Sequence, residues 1–137
     1  MEPLHIYTDG ASVNDKGKDS CAGVAFYIVP KKKLKRKSIH GTNNIAELIA
    51  VDYALYYVST VLKSTAPIVI HTDSRYAIGI LEKGWNAKLN VELIEKIRSR
   101  MSALTVSFEY VEGHKGVVEN ELVDKAAKKA MIECKNK

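Results

Sequence analysis

The chain has 137 residues, 46% of them hydrophobic, with only 3 prolines and 8 glycines, a composition that fits one globular domain and excludes disordered, collagen-like and low-complexity classes. No apolar stretch looks long enough to approach the ~20 residues that cross a bilayer, and no basic-then-apolar start marks secretion, so a cytoplasmic protein without membrane attachment is the expectation. Net charge is +5, concentrated in KKKLKRK at Lys31–Lys37 and in the last ten residues, which suits either a polyanionic partner or a solvated lysine face. The 2 cysteines, Cys21 and Cys134, lie far apart outside any CxxC spacing and are expected as two buried or idle thiols rather than a bridge or a zinc site.

In chain order, Leu4–Thr8 reads as a first strand ending at Asp9-Gly10. Cys21–Val29 forms a second, longer apolar strand. Pro30 and the lysines turn the chain into a polar third strand near Lys35–Gly41. Thr42, Asn43 and Asn44 are capping residues ahead of a helix with a broad apolar face at Ile45, Leu48, Ile49, Tyr53, Tyr57 and Val61. Pro67–Asp73 is a fourth strand, and Ser74 caps a short helix broken at Gly84-Trp85. Asn90 caps another helix to about Leu104, Thr105–Glu112 alternates as a fifth strand, and a glycine-flanked loop at His114 leads into a last helix over about Glu119–Lys135. The order β-β-β-α-β-α-α-β-α implies a mixed sheet covered by helices.

Four carboxylates stand at the junctions of these elements: Asp9, Glu47, Asp73 and Asp124. Taken singly each has an ordinary explanation. Asp9 can close an Asx turn, Glu47 can serve a capping box or the helix dipole, Asp73 can cap a helix, and Asp124, one turn after Asn120, lies near a helix start. Taken together they are anions expected to converge at a sheet edge, where they repel or force protonation unless countered, and a hard divalent cation such as Mg²⁺ or Mn²⁺ is the natural counter-charge.

The DG after the first strand, TNNxxE at the helix start, TDS after the fourth strand, and Gly113, His114, Gly116, Asn120, Glu121 and Asp124 in a GHxGxxxNExxD pattern resemble the type 1 ribonuclease H family along essentially the whole chain. The resemblance implies a ribonuclease H-like α/β fold, a five-stranded mixed sheet with helices on both faces, in a single domain spanning residues 1–137. It implies an endonuclease that hydrolyses the RNA strand of RNA/DNA hybrids with two Mg²⁺ ions, Mn²⁺ being a possible substitute, and leaves 5′-phosphate and 3′-hydroxyl ends. In this reading Asp9 bridges both ions, Asp124 completes the ion that activates water, and Glu47 and Asp73 hold the ion at the leaving oxygen. His114 is the implied proton shuttle. Asn14, Asn43, Asn44, Ser74 and Asn120 are the implied contacts to the substrate minor groove, with Thr42 at a DNA phosphate.

Two departures from the family pattern stand out. The loop Ser12–Ser20 lacks the usual glycine-rich stretch, and the basic, Trp-bearing handle of many bacterial members is missing, so that only the segment around Gly84–Lys88 joins the two middle helices. Lys31–Lys37 either supplies the lost phosphate contacts or is merely solvated. A monomer with no obligatory protein partner is expected. The rival classes are a catalytically silent hybrid-binding module, which has no need of four repelling acids, and a related metal-dependent DNA nuclease or strand transferase.

Overall fold

A computed structural model describes residues 1–13, 19–113 and 116–136. Strands β1 (Leu4–Ser12), β2 (Cys21–Ile28) and β3 (Lys33–His40) form an antiparallel meander. It is followed by helix α1 (Asn43–Tyr57), strand β4 (Ile68–Thr72), helices α2 (Arg75–Leu81) and α3 (Val91–Ser102), strand β5 (Val106–Tyr110) and helix α4 (Val118–Lys135). The five strands lie in the order β3-β2-β1-β4-β5, with β4 parallel to both β1 and β5. This is the mixed sheet implied by the element order.

Strand alternation divides the sheet into two faces. Leu4 and Ile6 of β1, Phe26 and Ile28 of β2, and Ile68 and Ile70 of β4 point into the main core, where they meet Leu48, Val51, Leu55 and Val58 of α1 and Ile94 and Ile97 of α3. The opposite face carries smaller residues. There Ala25 packs with Val123, Ala126 and Ala127 of α4, alongside Tyr7, Ala11 and Tyr27. A side chain at Gly23 would be driven into the α4 backbone at Met131 and Ala127, so this glycine is what lets α4 lie so close to β2.

Several boundaries differ from the sequence reading for identifiable reasons. β1 does not stop at Asp9; Asp9 and Gly10 remain paired with Ala25 and Val24, because the long second strand offers partners as far as Ser12. Its parallel partner β4 ends sooner, with Tyr7 opposite His71 as the last β1/β4 pair. Asp9 therefore sits inside an antiparallel ladder and just beyond the end of a parallel one. The helix after β3 is capped by Thr42, whose Oγ1 accepts from the Ile45 amide at 3.2 Å, rather than by either asparagine. Asn90 opens α3 in a left-handed conformation at φ 59° without capping it, and its side-chain amide reaches the Tyr76 hydroxyl at 3.4 Å.

The stretch Asn43–Leu62, α1 extended by a wider final turn, has 20 residues and contains an 18-residue window of mean hydropathy 1.4, which corrects the expectation that nothing in the chain has the length and composition to cross a membrane. Its apolar side is occupied within the core by the sheet and α3.

The cysteines are also corrected. Cys21 and Cys134 form a disulfide with Cα atoms 5.6 Å apart. The helix α4 runs back across β2 and β3 and returns residue 134 to the start of β2, a proximity created entirely by tertiary packing.

Candidate active site

Three elements deliver the carboxylates. Asp9 lies on the β1 face covered by α4, directly beyond the last parallel pair, and is only 4% exposed. Glu47 comes from the second turn of α1. That position rules out a capping box, which needs the acid at the third helical residue. Its Oε1 instead accepts from the Gly10 amide at 3.2 Å. The approach depends on Gly10 having no side chain, since a Cβ there would lie 2.6 Å from the Glu47 amide nitrogen. Asp73 follows β4 immediately, and Ser74 behind it caps α2 by accepting from the Ala77 amide at 3.0 Å. Asp73 is thereby released from the capping task.

One oxygen from each of Asp9, Glu47 and Asp73 lies within 4.8 Å of the others. Unit charges at such a distance repel by roughly 3.5 kcal/mol per pair at an effective dielectric of about 20, so the set resists full ionisation. The Asp9 carboxyl is pushed up to about 8 by burial, then by the charge of Asp73 and by hydrogen bonding and charge from Asp124, with the Gly10 amide opposing. Burial and the charges of Asp9 and Asp73 likewise hold Glu47 well above the ordinary carboxylate range. Asp124, on the second turn of α4, thus joins the cluster through Asp9, while its Oδ2 pairs with Lys128 one turn later at 3.0 Å. An all-oxygen donor set that is over-charged in a partly buried niche fits a hard divalent cation.

Among the remaining sequence candidates, Asn43 Oδ1 accepts from the Ser12 amide at 2.8 Å, tying the α1 start to the end of β1. Asn44 is exposed and lines a small hollow with Tyr76, Ala87 and Asn90, beside the segment that replaces the handle. Asn120 is 4% exposed, and its Oδ1, like Thr8 Oγ1, has no hydrogen-bond partner among the described residues. Asn14 and His114 lie outside the described residues. The remaining histidines are elsewhere: His5 Nδ1 is 2.9 Å from His71 Nε2, and His40 lies against the disulfide.

Sequence reasoning missed the glycines as site residues. Gly10 positions Glu47, and a Cβ at Gly113 would stand 3.1 Å from Asp73 Oδ2. The DG after the first strand was the signal for the first, although its role in admitting Glu47 shows only in the packing. Lys128 was legible in principle, as the i+4 partner of Asp124.

The missing handle is replaced by a short, tied connection. Trp85 packs over Gly79 and donates its amide to the Gly79 carbonyl at 3.0 Å, while Arg98 Nη2 donates to the carbonyls of Ile80 at 2.7 Å and Trp85 at 3.2 Å. The lysine run is split by strand alternation. Arg36 forms a two-pronged pair with Glu133 on the α4 side at 2.9 and 3.0 Å, whereas Lys35 and Lys37 lie over Tyr57 and Tyr53 on the α1 side. Pairing places Lys37 opposite Val24 and Val24 opposite Gly10, level with the carboxylates, whereas Lys33 pairs with Ile28 toward the other end of the sheet.

The RNase H family model matches residues 1–132. The chain belongs to the RNase H family. It is 33% identical over 145 residues to a ribonuclease H of Rhodopirellula baltica, covering 93% of this chain and 89% of that one. It is 32% identical over 144 residues to a ribonuclease H of Agrobacterium fabrum, with 96% of each covered. In fold it is similar to the N-terminal RNase H domain of a Mycobacterium tuberculosis protein, solved as a fusion with maltose-binding protein, at a TM-score of 0.80 and 20% identity over 98% of this chain and 96% of that one. Family membership makes the chain a nuclease of the hydrolase class, one whose family depends on divalent metal and acts on RNA/DNA hybrids.

Proposed function

We propose that the protein is an endonuclease that cuts the RNA strand of RNA/DNA hybrids and leaves 5′-phosphate and 3′-hydroxyl ends, working with two Mg²⁺ ions held by Asp9, Glu47, Asp73 and Asp124. The observation that carries this reading is the convergence of three carboxylate oxygens within 4.8 Å at the end of the β1/β4 pair, with Asp124 reaching Asp9 from α4. When bound, such ions activate water and stabilise the charge that builds on the attacking and leaving oxygens of an in-line displacement.

The chain's own groups perform the rest. The Gly10 amide fixes the Glu47 carboxylate, and Lys128 offsets part of the charge of Asp124, so the acids are preorganised before any cation arrives. Asn43, held by the Ser12 amide, Asn44 close before Glu47 in the chain and Ser74 next to Asp73 offer neutral hydrogen bonds to ribose hydroxyls and base edges, with Asn120 and Asn14 as further contacts and Thr42 near a DNA phosphate. His114 is assigned the proton transfer that accompanies product departure.

The test is cleavage of a hybrid labelled on either strand, compared with duplex RNA and duplex DNA, in Mg²⁺ and in chelator. Mg²⁺-dependent cutting of the hybrid RNA strand alone is expected. Cutting of DNA, or an intact hybrid at any divalent ion concentration, overturns the reading. A hybrid with about four consecutive ribonucleotides should be cut well and an isolated ribonucleotide poorly, because several adjacent 2′-hydroxyls are needed to engage the asparagines.

A further inference from the structure

Cys21, His40 and Cys134 come from β2, β3 and α4, and one ligand atom from each lies within 4.8 Å of the others. Cys21 and His40 are direct cross-strand partners, so their side chains leave the sheet side by side on the α4 face. The last turns of α4 are fastened above them by the Arg36–Glu133 pair and by the Ser38 hydroxyl, which donates to the Ala130 carbonyl at 2.7 Å. His40 Nε2 lies 3.6 Å from the Cys134 sulfur and 4.0 Å from that of Cys21. A disulfide makes no use of an imidazole at that position.

A tetrahedral metal does. With zinc–sulfur bonds of about 2.3 Å and zinc–nitrogen bonds of about 2.0–2.1 Å, the sulfur-to-nitrogen edge of a tetrahedron is about 3.5 Å, which matches the Cys134 separation and is about half an ångström short of that to Cys21, a shift that parting of the two sulfurs on reduction can supply. We propose that the reduced protein binds one zinc-like divalent ion through the Cys21 and Cys134 thiolates and His40 Nε2, and that this site and the Cys21–Cys134 disulfide are alternative states of the same three residues.

The interconversion balances. A dithiol reductant gives the disulfide two electrons and two protons, yielding two thiols; the divalent ion then displaces those two protons and binds two thiolates and a neutral imidazole. The ion–dithiolate unit is neutral overall, and three protein ligands leave the fourth position for water. Cys134 is buried at 7% exposure while His40 is exposed, so the open position and the route of entry lie on the His40 side. Soft sulfur ligands separate this site chemically from the all-oxygen carboxylate cluster, and each is suited to a different ion.

The inference does not depend on the nuclease reading, and its test reads the sulfur directly. The full chain is reduced with a phosphine under anaerobic conditions, freed of phosphine and titrated with Co²⁺. A thiolate-to-cobalt charge-transfer band together with visible bands of a tetrahedral ion should saturate at one equivalent, and Zn²⁺ should erase them. Cys134→Ser should abolish the charge-transfer band, and His40→Ala should weaken binding by about tenfold or more. Carboxylates give no such band, so ions at the acid cluster do not interfere. Absence of the band, its retention in both variants, or a disulfide that is reduced only when the protein unfolds overturns the proposal.

Discussion

The carboxylate niche and the cysteine–histidine corner are built in opposite ways. At the niche the side chains repel one another, and the framework holds them together from outside: a glycine lets α1 in, an amide pins Glu47, and the end of β4 presents Asp73. At the corner the side chains close on one another covalently, and the framework needs only to bring a helix back over two strands. The niche is thus a cost to folding that a cation turns to use, whereas the corner contributes stability by itself.

The sharpest way to break this contrast is Asp9→Asn. If Asp9 carries the ions, the change should lower hybrid cleavage about 10³-fold, since metal stabilisation of the transition state is worth several kcal/mol. The melting temperature should stay level or rise, because one repelling acid has been neutralised. Near-normal turnover by folded Asp9→Asn removes the niche from the chemistry.

The corner should show the reverse pattern. Replacing both cysteines by serine opens a link between positions 113 apart and should cost about 2–4 kcal/mol in denaturant unfolding, with cleavage rates within about twofold of the parent when measured well below the melting point. A large loss of turnover in the folded variant shows that the two regions are not independent.

pH separates them further. The Asp9 carboxyl is raised from 3.8 to about 8 in the folded chain, so the native state holds its proton more tightly than the unfolded one. That contribution is fully present below pH ~4 and is lost as pH rises through about 8. In chelator, melting temperature should therefore fall across this range. Mg²⁺ should restore it most at the alkaline end, where it need not displace a proton. The Asp9→Asn protein should lose part of this slope and keep the part due to Glu47, which burial also raises; a slope that persists unchanged assigns it to other groups.

The smallest effect concerns the lysines. Lys37 stands level with the carboxylates and Lys31 at the far turn, so Lys37→Gln should flatten the slope of log K against log salt for hybrid binding by about 0.9 and Lys31→Gln should leave it unchanged. The opposite ranking places the substrate toward the hairpin tip.

The element order was legible because apolar periodicity changes cleanly between strands and helices along this chain, and Thr42 and Ser74 offered caps where helices begin. The acids were legible as a set because they recur at element junctions in a known spacing. What escaped was decided by tertiary pairing. Asp9-Gly10 carries the local signature of a turn, yet β2 supplies partners that keep it extended. Glu47 looked like a helix-start acid until the approach of Gly10 gave its carboxylate another donor. Cys21 and Cys134 share no local pattern, and only the path of α4 across the sheet makes them neighbours.

The ladder between β1 and β2 runs unbroken over seven pairs from Ile6 to Ser12. A slip of one residue would turn Asp9 onto the opposite face and bury Tyr7 in the main core, so the register is fixed well before the chain reaches the connection between the two strands. That connection is therefore an interchangeable part. Residues between the two strands can be lengthened, shortened or exchanged while Asp9 stays where the ladder puts it. In a library built on that segment, variants that fold should keep Asp9 in place and with it metal-dependent cleavage.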